Sequence, residues 1–144
     1  MKVDLNAPIE PWKGLGGISL YTHISEFYGP LQDFNVEADI VWKFLISYEV
    51  DNEAIIWFNV INGKIYKLTA LENYKGLLFN QIHVGMHIDD VLKIEHSFEY
   101  DEFEEVYESP KGVYIETDPI THRVICISVF VKEIDDEDFE EGKW

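Results

Sequence analysis

Gln81-Ile82-His83-Val84-Gly85-Met86-His87-Ile88-Asp89-Asp90-Val91-Leu92 is the stretch that decides how this chain is read. Ile82 and Val84 alternate as in a strand end, and Gly85 breaks the pattern. Ile88, Val91 and Leu92 then recur at helical spacing. The same layout occurs 64 residues earlier, between Gly17 and Tyr28: Ile18, Leu20, Ile24, Phe27 and Tyr28 stand where Ile82, Val84, Ile88, Val91 and Leu92 stand. His23 coincides with His87, and Glu26 with Asp90. This is read as a two-unit internal repeat, each unit opening with a short helix and continuing into strands.

Working outward, each unit continues into a meander. In the first unit, Ile40 to Val50 is rich in β-formers, with Ile40, Trp42, Phe44, Ile46 and Tyr48 on one face. Asp51-Asn52 is a turn, Ala54 to Ile61 a strand, and Asn62-Gly63 a strong hairpin signal before Lys64 to Leu71. Thr22 is the expected cap of the first short helix, which Gly29-Pro30 ends. In the second unit a helix is expected from about His87 to Glu95. Strands follow at Phe103 to Glu108, Gly112 to Thr117 and Arg123 to Val131.

The expected fold is therefore α+β: two similar helix-plus-three-stranded antiparallel meander units, with short helices on one face of a sheet of about six strands. A single domain, 1–144, holds unit one (about 12–73), unit two (about 77–132) and an acidic tail (133–144) expected to fray. Met1 to Gly16 is an extended lead-in, with Trp12 expected to anchor it on the core.

Composition narrows the function classes. The chain is 47% hydrophobic, enough for a packed core, and carries a net charge of −17. Such a charge repels nucleic acid and anionic membrane and attracts basic partners. The one cysteine, Cys126, lies in an apolar strand, a poor setting for a thiolate. A lone thiol and the lack of an apolar leader at Met1 to Asn6 point to the cytoplasm. No apolar run reaches membrane-helix length.

Signals for catalysis are weak. His83 and His87 are four apart, but Gly85 lies between them and His83 belongs to the strand side, so no metal site is assigned. No nucleotide-binding loop or nucleophile elbow occurs, and no cofactor is expected. Binding signals are stronger. Two blocks, Glu99 to Glu108 and Glu133 to Glu141, interleave carboxylates with Tyr and Phe. Carboxylates alone make a solvated face, whereas aromatics within the run supply interface anchors. The partner-binding residues selected are Tyr100, Asp101, Glu102, Glu104, Glu105, Asp135, Asp136, Glu137 and Asp138. The pattern leaves open whether Phe103 and Val106 face the core or a partner.

The segment Ile82 to Leu92 resembles the strand-end and short-helix motif of small helix-plus-meander repeats. Outer-membrane assembly lipoproteins and the β-lactamase inhibitor protein use such units. A small acidic chain of this kind also resembles the immunity proteins of bacterial polymorphic toxin and contact-dependent growth inhibition systems. That resemblance implies a non-enzymatic inhibitor that occludes a basic toxin domain, a nuclease in the expected case. A regulatory or scaffolding module that binds a basic host protein is the alternative. A carboxylate-dependent metal hydrolase is a third reading, from another class.

Overall fold

The structure is a computed structural model that describes residues 2–33 and 36–144. Met1 of the lead-in and Phe34 and Asn35 of the first unit lie outside them. An eight-stranded antiparallel sheet has the order β3-β4-β5-β6-β10-β9-β8-β7. Its strands are β3 (Val36–Trp42), β4 (Leu45–Val50), β5 (Ala54–Asn59) and β6 (Lys64–Ala70), then β7 (Glu99–Asp101), β8 (Val106–Ser109), β9 (Val113–Thr117) and β10 (Val124–Phe130). The lead-in adds a two-stranded ribbon, β1 (Gly14–Leu15) and β2 (Ile18–Ser19). One α-helix, α1, spans Ile88–Ile94 among the described residues.

This corrects the α+β expectation: the fold is mainly β. Each expected three-stranded meander has four strands, and the first expected helix is only a 3-10 turn, Ile24–Phe27. The physical reason is the same in both halves. A hairpin turn sits where a continuous strand is expected. Ile40 to Val50 is not one strand, because Lys43 (φ 36°) and Phe44 reverse the chain between β3 and β4. Phe103 to Glu108 is not one strand either. Phe103 lies in the turn between β7 and β8, and Glu105 takes φ 57°. Lysine and glutamate occupy left-handed conformations that glycine or asparagine normally signals.

The equivalence of His23 and His87 has a structural counterpart. His23 caps Ile24–Phe27 by accepting the Ser25 N–H at Nδ1, and His87 caps α1 by accepting the Asp89 N–H, both at 3.1 Å. Thr22, the expected cap, instead donates to the Ser19 carbonyl. Three backbone bonds also correspond. Tyr21 to Ile65, Ile65 to Thr22 and Ile24 to Gly63 match Gly85 to Val124, Val124 to Met86 and Ile88 to His122, each donor first. Each capping segment thus bonds the start of the last strand of its unit. Those last strands, β6 and β10, pair at the middle of the sheet, with Ala70 opposite Ile127 and Leu68 opposite Val129.

One hydrophobic core lies between a face of the sheet and the covering segments. Ile56, Phe58, Leu68, Ile115, Ile127 and Val129 meet Ile9, Leu20, Leu78, Ile82, Ile88 and Val91. Tyr74 joins the lead-in to this core. Its hydroxyl accepts the Gly16 N–H at 2.7 Å and donates to the Ala7 carbonyl at 2.6 Å. The acidic tail, expected to fray, docks instead. Phe139 is buried and stacks on Trp144, with ring centroids 5.5 Å apart, while Asn59 donates to its carbonyl. No helix among the described residues is long and apolar enough to cross a membrane.

Candidate binding site: an acidic groove beside the β7–β8 hairpin

The opposite face of the sheet is built from the alternate residues of the same strands. Register places Thr69 against Ser128, Ser128 against Tyr114, Tyr114 against Glu108, and Glu108 against Glu99. The row begins as a neutral network, with Thr69 and Ser128 hydroxyls 2.7 Å apart and Thr69 accepting from the Trp57 indole. Toward β7 it becomes acidic. Two glutamates standing directly opposite each other repel, a cost of about 0.2–1 kcal/mol.

Asp101, on the same strand as Glu99, adds a third carboxylate. Asp135 adds a fourth, brought in by the 3-10 turn Lys132–Asp135 that follows β10. Partial burial raises the Glu108 carboxyl above its ordinary value, and the carboxylates of Asp101, Asp135 and Glu104 raise it further. The two acidic blocks of the sequence therefore converge on Glu108.

Aromatic rings line the same groove, which encloses about 700 Å³ and includes Trp12, Tyr100 and Phe130 among its walls. Trp12 is half-buried, and its ring meets Phe130 edge-on at 5.5 Å. It also lies against Gly112, where a Cβ would stand 2.3 Å from the indole, so only glycine permits this seat. Trp12 holds φ 66°, a conformation that costs a bulky residue about 1–3 kcal/mol and clusters at functional sites. The expected anchor is thus an anchor, but it sits at the groove rather than among the buried core residues. Tyr100 packs on Tyr107 with centroids 4.9 Å apart.

The selected residues separate into three sets. Tyr100, Asp101, Glu102 and Asp135 line the groove. Glu104 and Glu105 face a second hollow on the other side of the hairpin, with Glu116 and His122. Asp136, Glu137 and Asp138 are exposed and line neither. Around them Glu141 pairs with Lys143 at 2.8 Å, and the Lys143 backbone donates to the Asp138 carbonyl.

Sequence reasoning left Trp12, Glu99, Glu108 and Phe130 outside the selected set. The available signal was alternation: Glu99 and Asp101 share a strand face, and a hairpin at Phe103 carries Glu108 back beside them. Of Phe103 and Val106, only Val106 is buried, and Phe103 is 91% exposed at the hairpin tip. Asp101 holds that tip by accepting the N–H groups of Phe103 and Glu104 at 2.9 and 3.1 Å.

Among the described residues no group of three or more His, Cys, Asp and Glu side chains is placed to hold a metal ion. Three of the five histidines serve local structure: His23 and His87 are caps, and His83 Nδ1 lies 2.8 Å from the Val84 carbonyl oxygen. Cys126 is buried, and its thiol is pushed up to about 12, by burial first and then by Glu116.

No family model matches the sequence, and no curated protein matches it. Among solved structures, the chain is similar to a cysteine-rich secretory protein of Staphylococcus aureus, with a TM-score of 0.50 and 14% identity. The similarity covers 92% of this chain and 52% of that one, so the chain spans about half the length of that structure. At this identity the likeness concerns the fold alone.

Proposed function

We propose that the protein is a non-enzymatic binding protein, an inhibitor of the immunity type, that occludes a basic partner domain with its acidic groove. One observation carries the reading: the carboxylates of Glu99, Asp101, Glu108 and Asp135 gathered beside Trp12 and Tyr100 with no ion pair to any of them among the described residues. Like charges held together on a sheet cost stability, and an arriving lysine or arginine removes that cost. The Trp12 ring already holds Lys132 Nζ 5.8 Å from its centroid, so the Tyr100 phenol is the ring that offers an arriving cation an aromatic face. Phe103, exposed at the tip, supplies an apolar anchor beyond the charged groove. A nuclease domain is the expected partner, because a phosphate-binding surface presents the complementary charge. The cytoplasm is the compartment this reading implies.

A lysine-rich peptide titrated calorimetrically at low and moderate salt tests the groove. Binding that weakens with salt and is lost on joint Asp101→Lys and Glu108→Lys substitution supports it. Binding that survives both changes places the basic partner elsewhere. The inhibitor role is tested by isolating the partner at low salt. A single basic protein whose toxic activity falls on adding this chain supports it. Many basic proteins that all leave at modest salt reduce the charge to a general property.

A further inference from the structure

A third hollow lies away from the β7–β8 hairpin, where the turn between β4 and β5, the end of β6 and the start of β10 come together. It encloses about 420 Å³, within the range of small-molecule sites. Leu71, Val84, Val124 and Ile125 give it an apolar wall. Ile125 stands at the bulge between Val124 and Cys126 and is 46% exposed, so apolar surface is left open to a ligand here. Glu49 and Glu72 also line the hollow, and neither has an ion pair among the described residues. Arg123, the single arginine of the chain, stands at the rim. Its Nη1 donates to the carbonyl of Gly85, a residue of the hollow, at 3.0 Å. Gly85 has φ 92°, and a Cβ built on it would meet nothing within 4 Å, so this backbone borders open space. The bond to Gly85 uses one of the five guanidinium donors, and no carboxylate among the described residues pairs with Arg123. In a chain with 28 acidic residues, the one guanidinium is thus fixed by a backbone carbonyl and left open to an arriving carboxylate.

We propose that this hollow binds a free α-amino acid with a branched apolar side chain. Each part of such a molecule has a counterpart. The side chain covers the wall of Leu71, Val84, Val124 and Ile125. The ammonium takes Glu49 and Glu72, and the carboxylate takes the Arg123 fork, whose planar donors suit a carboxylate. A single charge does not fit. An amine alone meets the guanidinium, and a carboxylate alone meets two glutamates. A zwitterion answers both signs at once. The hollow shares no residue with the acidic groove, so the inference stands whether or not that groove takes a basic partner.

Leucine titrated to about 20 mM, followed by amide shifts in the isotope-labelled protein, covers the millimolar affinities expected of a small open site. The amides of Leu71, Val84, Gly85 and Ile125 should move and saturate. N-acetylleucine lacks the ammonium, leucinamide lacks the carboxylate, and alanine lacks the branched side chain. Each should bind about tenfold more weakly than leucine. Arg123→Gln and Glu72→Gln, both at exposed positions, should weaken leucine similarly while the rest of the amide spectrum stays as in the parent. Leucine that moves no amide of the hollow overturns the proposal. So does equal binding by any of the three analogues, since leucinamide binding as well as leucine reduces the site to general acidity. Leucine binding indifferent to Arg123→Gln overturns it as well.

Discussion

Replacing Glu108 by glutamine should make the protein more stable and its groove a weaker binder. Glu108 faces Glu99 across the β7–β8 ladder, with Asp101, Glu104 and Asp135 nearby and the Tyr114 phenol on its β9 side. The opposed pair accounts for about 0.2–1 kcal/mol. Partial burial is the first cause of the raised Glu108 carboxyl, and the Asp101, Asp135 and Glu104 carboxylates, screened over about 8 Å at physiological salt, add to it. Relief of about 1 kcal/mol at neutral pH follows, raising Tm by about 3 °C in a chain of this size. The sign with pH is fixed by the direction of the Glu108 shift. Its carboxyl binds a proton more readily in the folded protein than in the unfolded chain. Its charge therefore costs stability above the folded value. The cost fades as pH falls and is gone below the ordinary value of 4.5. Thermal melts of Glu108→Gln and the parent should differ at pH 7, converge by about pH 3.5, and differ less in about 1 M salt. Over the same conditions, affinity for a lysine-rich peptide should fall about fivefold, which corresponds to about 1 kcal/mol. A variant less stable than the parent at pH 7, or a gap that persists in acid, would refute the argument from like charge.

Three further outcomes follow from the packing. Tyr74→Phe leaves the Gly16 N–H and Ala7 carbonyl without their shared hydroxyl, and should cost about 2–3 kcal/mol by urea denaturation. Phe139→Ala removes a ring 7% exposed that contacts Tyr66 and Trp144. It should cost about 3 kcal/mol and expose the 133–144 segment to limited proteolysis. Cys126, 8% exposed and with its thiol pushed up to about 12, should not react with a thiol reagent at about pH 8 until the protein is unfolded.

The central strands were legible because they punctuate themselves. Asn62-Gly63 and Ser109-Pro110-Lys111-Gly112 mark reversals with residues chosen for backbone conformation, and the structure turns there. The outer strands were not legible. The turn at Lys43-Phe44 is made of ordinary residues held by its ladder, and the turn around Phe103 has only Asp101, one acid in a run of acids, to give notice of it. That single omission removed one strand from each unit. It also hid the exposed hairpin tips at Phe44 and Phe103. The helix expected between the Thr22 cap and Gly29-Pro30 was overread for another reason. Apolar spacing alone does not distinguish a four-residue 3-10 turn from the start of an α-helix. At the site, the acidic blocks were visible as blocks. Their meeting at Glu108 depends on strand register and on the docking of the tail, neither of which is local. Trp12 was visible as an anchor, but its place at the groove depends on a glycine a hundred positions later in the chain.

The junction of β6 and β10 has a consequence for how the chain reaches this state. Within each half every ladder joins neighbouring strands through a short reversal, so its closure entropy is small. The central ladder instead brings Lys67 to Phe130 and Ala70 to Ile127 across the whole second unit. Such a distant pairing is the slow kind, and it gains little until both strands already hold their own partners. The halves should therefore acquire structure early, with the Thr69–Ser128 contact late. A substitution at Leu68 or Val129 would then speed unfolding far more than it slows folding.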